Sequence, residues 1–314
     1  MTSSSTQRIL IVGAGELGTA MLEGLAQYLK CHSSPISPAS ITVLLRPSTI
    51  GTSDETKLRD NEYLRSLGAS LVAGDIVQDS EAHLASVFQG FDTVIVCSGF
   101  GFPSGTQLRV TRAVLSAGVR RYFPWQWGID YDVVGSGSAQ DLFDEQLEVR
   151  NLLRAQSEVD WVVVSTGLFV SFIFVPEFGL VDPKSRTLRG LGSWDTRLSV
   201  TTPKDIGRVA AEIVYDPRGI NRQVVYVAGD TVSYGDVADL VVKRFGGQWT
   251  RELWDMQTLK QKTEANPDNG MVKYQNVFGA GKGVAWDMVN TVNVQRGMEM
   301  QTVEDFLRET QELD

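Results

Sequence analysis

Short apolar runs alternate with helical spacing through the first half of the chain. Ile9 to Val12 is rich in β-branched residues, the pattern of a central parallel strand buried on both faces. Behind it Leu17, Met21, Leu22 and Leu25 recur at helical spacing, and Ile41 to Leu45 is a second apolar run. Residues 8–46 therefore predict strand, turn, helix, strand. The rhythm continues with a helix over 54–67, a third strand at 69–73, a helix over 79–88 and a fourth strand at 91–97. A helix over 106–117, a fifth strand at 119–123, a helix over 138–155 opened by Ser138 and Asp141 in capping-box spacing, and a sixth strand at 161–165 complete it. Alternation with strands this apolar predicts an α/β fold with a doubly wound, mostly parallel sheet.

After Ser165 the pattern changes. Residues 166–197 read as an irregular aromatic and apolar stretch, too long to be idle, expected to cover the carboxyl edge of the sheet. A helix over 203–215, a strand at 224–227 that returns to the main sheet and a helix over 234–245 follow. The remainder carries Trp249, Trp254, Phe278, Trp286 and Phe306, enough for a small helical lobe. The expected organisation is a doubly wound domain over 1–165, rejoined by 198–228, and a smaller lobe formed by 166–197 and 229–314.

The turn after the first strand is Gly13-Ala14-Gly15-Glu16-Leu17-Gly18, the GxGxxG spacing of a dinucleotide fingerprint. Gly13 serves the tight turn, Gly15 lets backbone approach a pyrophosphate, and Gly18 lets the helix pack on the strand. The first N–H groups of the helix, from Glu16 and Leu17 onward, then face phosphate oxygens. The second strand ends in Arg46-Pro47-Ser48-Thr49, and no carboxylate occurs between Glu23 and Asp54 to hold a ribose 2′-hydroxyl. An Arg fork with Ser48 beside it suits a 2′-phosphate, so NADP(H) is the expected cofactor rather than NAD. Ser98-Gly99-Phe100 at the end of the fourth strand and Phe123-Pro124 at the end of the fifth are the other expected cofactor contacts, because ligands of such sheets meet the carboxyl ends of the strands.

Composition narrows the class. At 314 residues, 42% hydrophobic and net charge −9, without a Lys/Arg run, the chain suits a large soluble core and not nucleic acid. No apolar stretch approaches a membrane span of roughly 20 residues, and the polar start, Met1 to Thr6, reads as a frayed tail without a signal sequence. A cytoplasmic monomer or homodimer is expected. Residues 31–40, rich in Ser and Pro, read as an elongated loop. Cys31 and Cys97 give no disulfide framework, and with His32 and His83 the chain has no zinc-ligand spacing. His83 reads as a solvated helix residue.

The sequence resembles the NmrA-like and isoflavone-reductase-like group of atypical short-chain dehydrogenases. The resemblance rests on the fingerprint with Arg46, on Ala117-Gly118-Val119-Arg120-Arg121-Tyr122-Phe123-Pro124, and on Trp125-Gln126-Trp127-Gly128, where relatives carry a Pro-Ser-Glu-Phe-Gly-like run. The helix over 143–150, Thr166-Gly167-Leu168-Phe169 and Asp205-Ile206-Gly207 extend it along nearly the whole chain, and the wording of 123–144 is most similar to fungal members associated with secondary metabolism. It implies an NADP(H)-binding Rossmann domain, a C-terminal substrate lobe and reduction of an aromatic natural product. Two departures stand out. Many relatives have one more residue between the first two glycines, and plant reductases carry a Lys where this chain has Gln146.

No Lys occurs between Leu58 and Pro183, and no Tyr is followed four residues later by Lys, so the ordinary Tyr/Lys relay is absent. A neutral amide orients by hydrogen bonds but does not donate a proton near pH 7, which leaves Tyr131 or a water as donor. The expected catalytic residues are Gln146 and Tyr131, with Trp125, Trp127, Phe169 and Phe172 as stacking surfaces for a bulky aromatic small molecule. The leading expectation is an NADPH-dependent reductase. An NADP-sensing regulator without catalysis, and a non-redox cyclase or isomerase on the same fold, are the alternatives.

Overall fold

The computed structural model describes residues 6–31 and 39–310, so the expected tail and most of the loop at 31–40, with His32, lie outside the described residues. The first half of the chain forms β1 (Gln7–Val12), α1 (Glu16–Cys31), β2 (Ala39–Leu45), the single turn α2 (Pro47–Ile50), α3 (Glu55–Ser66), β3 (Ser70–Ala73), α4 (Glu81–Phe88), β4 (Thr93–Val96), α5 (Thr106–Ala117) and β5 (Arg121–Phe123). Then come α6 (Tyr131–Val134), α7 (Leu142–Arg154), β6 (Asp160–Ser165), β7 (Leu168–Phe169), a 3₁₀ turn (Val170–Phe174), β8 (Val181–Asp182), β9 (Thr187–Leu191) and β10 (Arg197–Thr201). The chain continues with α8 (Pro203–Tyr215), β11 (Gln223–Tyr226), β12 (Asp230–Ser233), α9 (Tyr234–Phe245), β13 (Thr250–Trp254), α10 (Met256–Ala265), α11 (Gly270–Ala280), α12 (Val292–Gln295) and α13 (Val303–Glu309).

Among the described residues the main sheet has seven strands in the order β11-β6-β5-β4-β1-β2-β3, and its pairings from β3 across to β6 are parallel. This is a Rossmann-type α/β sheet, with its order reversing between β1 and β4. The turns after β1 and β4 therefore flank the crevice where such sheets take their ligands. Ile9, Leu10 and Ile11 are fully buried, as a strand covered on both faces must be.

The chain divides into two compact units. The first comprises Met1–Trp127, Glu148–Val164 and Pro203–Val225. One face of its sheet buries Leu10, Val12, Val94 and Val96 with Val110, Val114 and Leu153. On α1 and α8 the backbones touch: a Cβ on Gly24 would overlap the carbonyl of Gly207, and one on Gly207 would overlap the carbonyl of Ala20. Asp205-Ile206-Gly207 thus has a packing duty within this unit.

The second unit comprises Gly128–Leu147, Ser165–Thr202 and Tyr226–Asp314. It corrects the expectation of an irregular stretch followed by a helical lobe, because it holds two three-stranded sheets, β12-β10-β7 and β13-β9-β8. Strands of two residues carry no readable period, and Pro176, Pro183 and the glycines around them masked the rest. Gly167, Gly179 and Gly192 take positive φ at the corners of these sheets. The capping box expected at Ser138 is also corrected. Ser138 Oγ accepts from the Gln140 N–H at 3.3 Å and donates to its carbonyl at 3.2 Å, a local turn, and the helix opens at Leu142.

Cys31 and Cys97 are both free, and His83 is an exposed side chain with Nε2 3.8 Å from Asp79. Among the described residues no helix is long and apolar enough to cross a membrane. The glycine contact between α1 and α8 gives a prediction. In Gly207→Ala the gain in helix propensity, about 1 kcal/mol, opposes an overlap with backbone that no side-chain rotation relieves, typically about 1–3 kcal/mol or more. The overlap is expected to win, lowering the midpoint of urea unfolding, and an unchanged or raised midpoint would contradict the close helix contact.

Candidate functional site

The three fingerprint glycines have different physical reasons. Gly13 stands at φ +91°, donates to the Leu44 carbonyl at 3.1 Å, and leaves no room for a Cβ beside Ser98 Oγ. A Cβ on Gly18 would overlap the carbonyl oxygen of Gly13. These two glycines are needed by the fold itself. Gly15 is different, because its φ is not positive and a Cβ there would meet nothing within 4 Å. Its backbone is exposed at the start of α1, with Thr19 N–H donating to its carbonyl at 2.9 Å. Glu16 is exposed in the first helical turn, while Leu17 is buried beneath it.

At the end of β2, Arg46 is exposed and its carbonyl accepts from the N–H groups of Thr49 and Ile50 at 2.8 and 3.2 Å, which closes α2. Ser48 is exposed on the same turn. A cleft of about 360 Å³ runs from Gly15 and Glu16 past Leu45 and Thr49 to Lys57, Asp60 and Asn61. Asn61, buried on α3, donates from Nδ2 to the Thr49 carbonyl at 2.9 Å and so pins α3 to α2. Lys57, lining this cleft with Thr49 and Asp60, is a cation that sequence reasoning missed. The expectation looked only at the end of the second strand, whereas Lys57 enters through the first turn of α3, whose N-cap Asp54 accepts from the Lys57 N–H at 3.0 Å.

The turn after β4 packs against the segment after β5 without a Cβ between them. A side chain on Gly99 would overlap the indole of Trp125, and Gln107 Nε2 donates to the Ser98 carbonyl at 3.2 Å. Phe100 is 53% exposed. Phe123 and Pro124 are buried, and the Arg121 guanidinium lies 5.2 Å from the centroid of the Phe123 ring. Trp127 is committed to the fold: its indole N–H donates to the Val96 carbonyl at 2.8 Å, and the ring is buried. Gln126, also buried, accepts from Nε of the fully buried Arg150 at 2.8 Å. Cys97 is buried, and loss of solvation pushes its thiol far above the ordinary range, so it is inert as a nucleophile.

In the second unit, Tyr131 opens α6 with its ring 5.1 Å from that of Phe143. A Cβ on Gly128 would stand 2.9 Å from the Tyr131 hydroxyl, and the Gly128 carbonyl accepts from the N–H groups of Thr166 and Gly167. Gln146 lies on α7 and is fully buried. Phe169 is half-buried at the entry to the 3₁₀ turn, and Phe172 within that turn packs on Phe178 at 5.0 Å between centroids. Tyr131 and Phe172 thus enter one aromatic cluster of this unit, whereas Trp125 and Trp127 belong to the first. Among the described residues no group of three His, Cys, Asp or Glu side chains could hold a metal ion.

The chain is 50% identical to an NmrA-like family domain-containing oxidoreductase of Gibberella moniliformis over 97% of its own length and 98% of that relative's. It is 29% identical to a phenylcoumaran benzylic ether reductase of Betula pendula over 76% of this chain and 75% of that one. In fold it is similar to the binary complex of leucoanthocyanidin reductase with NADPH from Vitis vinifera, with a TM-score of 0.78 at 18% identity, covering 96% of this chain and 98% of that one. A crystal structure of isoflavone reductase matches with a TM-score of 0.77 at 19% identity over 97% and 99% of the two chains. The model of the NmrA-like family matches residues 5–307, and the chain belongs to that family.

Proposed function

We propose that this protein is an NADPH-dependent reductase of a bulky aromatic small molecule. The observation that carries the proposal is Gly15. It is a glycine that neither backbone strain nor a packed neighbour requires, held open at the N-terminus of α1 between two glycines the fold does require. Close approach of a pyrophosphate explains it, with exposed N–H groups and the positive end of the helix dipole as the anion-binding elements. Arg46, Ser48 and Lys57 supply charge and hydroxyl donors for a 2′-phosphate. The relative from Gibberella moniliformis is described as an oxidoreductase, and the leucoanthocyanidin reductase was solved with NADPH.

The bound dinucleotide supplies a hydride, and the residues of this chain bind and orient. The turns at Ser98-Gly99-Phe100 and Phe123-Pro124 belong to the carboxyl end of the sheet, where the nicotinamide end of the cofactor is expected. Trp125 in the first unit, and Phe169 and Phe172 in the second, are half-buried and have ring surface to offer a flat substrate. Gln146 acts by orientation through its amide, and Tyr131 carries the hydroxyl of the proposed catalytic pair. The absence of the family's Lys favours one rival reading, an NADP-binding regulator that does no chemistry.

Three measurements test these assignments. Gly15→Val is expected to abolish NADPH binding in calorimetry while leaving thermal unfolding of the unliganded protein within a degree or two, and normal affinity would make the turn merely structural. Arg46→Ala and Lys57→Ala should each weaken NADPH by about 1.5–3 kcal/mol, the range for a lost charge-assisted contact, and NADH much less. Equal losses for both nucleotides would remove these residues from a 2′-phosphate site. Gln146→Leu keeps volume and helix propensity but deletes both hydrogen-bonding functions, so turnover across a panel of aromatic ketones, enones and quinones should fall at least tenfold with NADPH affinity retained. No turnover by the wild type on any member would favour the regulator, and undiminished turnover in the variant would take Gln146 out of the mechanism.

A further inference from the structure

The first unit has a second cleft, of about 290 Å³, where α1 crosses α8. Ala20, Gly24 and Lys30 of α1 line it with Leu67 at the end of α3 and with Lys204 and Arg208 of α8. It is separate from the cleft beside Gly15. One hydrogen bond, from the Tyr63 hydroxyl to Glu23 Oε1 at 2.5 Å, joins α3 to α1 between the two: Tyr63 lines the first cleft and Glu23 the second.

The floor of the second cleft is apolar because the helix crossing requires it. Gly24 has no room for a side chain, since a Cβ would overlap the Gly207 carbonyl, and the buried Ala20 and Ala26 offer methyl groups alone. Leu67, half-buried, adds a branched wall. The rim, by contrast, is cationic, with Lys30, Lys204 and Arg208 all exposed. Arg208 is paired with the buried Asp205 at 2.6 Å, and the Glu23 carboxylate accepts from Tyr63. Among the described residues neither Lys30 nor Lys204 has an ion pair, so these two ammonium groups are the ones left to take an anion.

The placement of Lys204 is a second, independent observation. Lys30 lies in the last turn of α1, where a cation complements the helix dipole and the fold alone accounts for it. Lys204 lies in the first turn of α8, at the positive end, where a cation is unfavourable to the fold. A helix start that carries a lysine beside an open cleft concentrates positive potential there, in a chain whose net charge is −9.

We infer that this cleft binds a small organic acid, its carboxylate taken by Lys30 and Lys204 at the start of α8 and its compact apolar body lying on Ala20, Gly24 and Ala26 against Leu67. An inorganic ion would satisfy the lysines but leave the methyl floor in water, whereas an amphiphile covers both. The volume sits at the bottom of the range of small-molecule pockets, roughly 300–1,000 Å³, which suits a single ring or a short chain. The site stands apart from the reductase reading and does not depend on it.

The test titrates the full chain with cyclohexanecarboxylate, with its neutral counterpart cyclohexanecarboxamide and with sulfate, followed by ligand-observed NMR at low salt, with and without NADPH. The wild type is expected to hold the carboxylate at least tenfold more tightly than either the amide or sulfate, and NADPH is expected not to displace it. Lys30→Gln with Lys204→Gln, both at exposed positions, should bring the carboxylate-to-amide ratio within twofold of one, and each single variant should lower it at least threefold. Lys57→Gln, in the other cleft, should leave the ratio as it is. Sulfate binding as tightly as the carboxylate would reduce the cleft to a bare anion patch and overturn the inference. So would a wild type without preference, a double variant that keeps it, or loss of the carboxylate to NADPH or in Lys57→Gln, which would move the acid to the cleft beside Gly15.

Discussion

The nucleotide-binding end of this protein depends on α1 lying against backbone, without side chains in between. At Gly18 the helix meets the Gly13 carbonyl, and less than two turns later, at Gly24, it meets Gly207 of α8. Two such contacts on one rigid helix fix its height and its direction. A methyl group at either place would lift α1 from its seat, and the N–H groups of its first turn would move with it. Because charge–dipole attraction at a helix end falls away within the first turn, a displacement of an ångström there costs much of the anion site. The glycines inside the helix cost helix propensity, roughly 1 kcal/mol each, and the fold accepts that cost in exchange for position.

How much could be read from the sequence follows from which interactions are local. The βαβ opening was legible because its strand, turn and helix are contiguous, and the alternation of strands and helices pointed to a doubly wound parallel sheet, whereas its strand order, set by long-range packing, was not encoded in that alternation. Gly13 and Gly18 were legible for the same reason. Lys57 was not, since its proximity to the end of β2 is created by the Asn61–Thr49 hydrogen bond, a contact across two helices that no spacing rule encodes. The two small sheets of the second unit were equally hidden. Their strands, such as Leu168–Phe169 and Val181–Asp182, are too short for a period of two to be counted; the second pairs with the next strand in the chain, but the first pairs with the distant β10, Leu168 against Val200.

The aromatic residues divide between core and ligand surface in a way that composition could not foretell. Trp127 was an attractive stacking residue by type and position, but its indole N–H is spent on the Val96 carbonyl and its ring is buried. Phe123, expected beside the cofactor, buries its ring next to Arg121, so any part it takes there falls to its backbone at the carboxyl end of β5. A fully buried aromatic contributes about 1.5–3 kcal/mol to the fold, which is reason enough for its presence without any ligand. Phe172, by contrast, is half-buried on a cluster that also carries the partly buried Phe174, Trp194 and Trp254, so part of its ring surface is left uncovered.

The same reasoning gives a physical meaning to Gln146. It occupies a fully buried place on α7, and a buried ammonium has its charged form disfavoured by desolvation unless a carboxylate or several carbonyls compensate. An amide at that place carries donor and acceptor functions with a far smaller desolvation cost and no titration. The second unit then has, in Gln146 on α7 and Tyr131 on α6, two side chains able to form hydrogen bonds. Under the proposed reductase reading, such a pair positions a substrate oxygen by hydrogen bonds while the bound dinucleotide supplies the hydride.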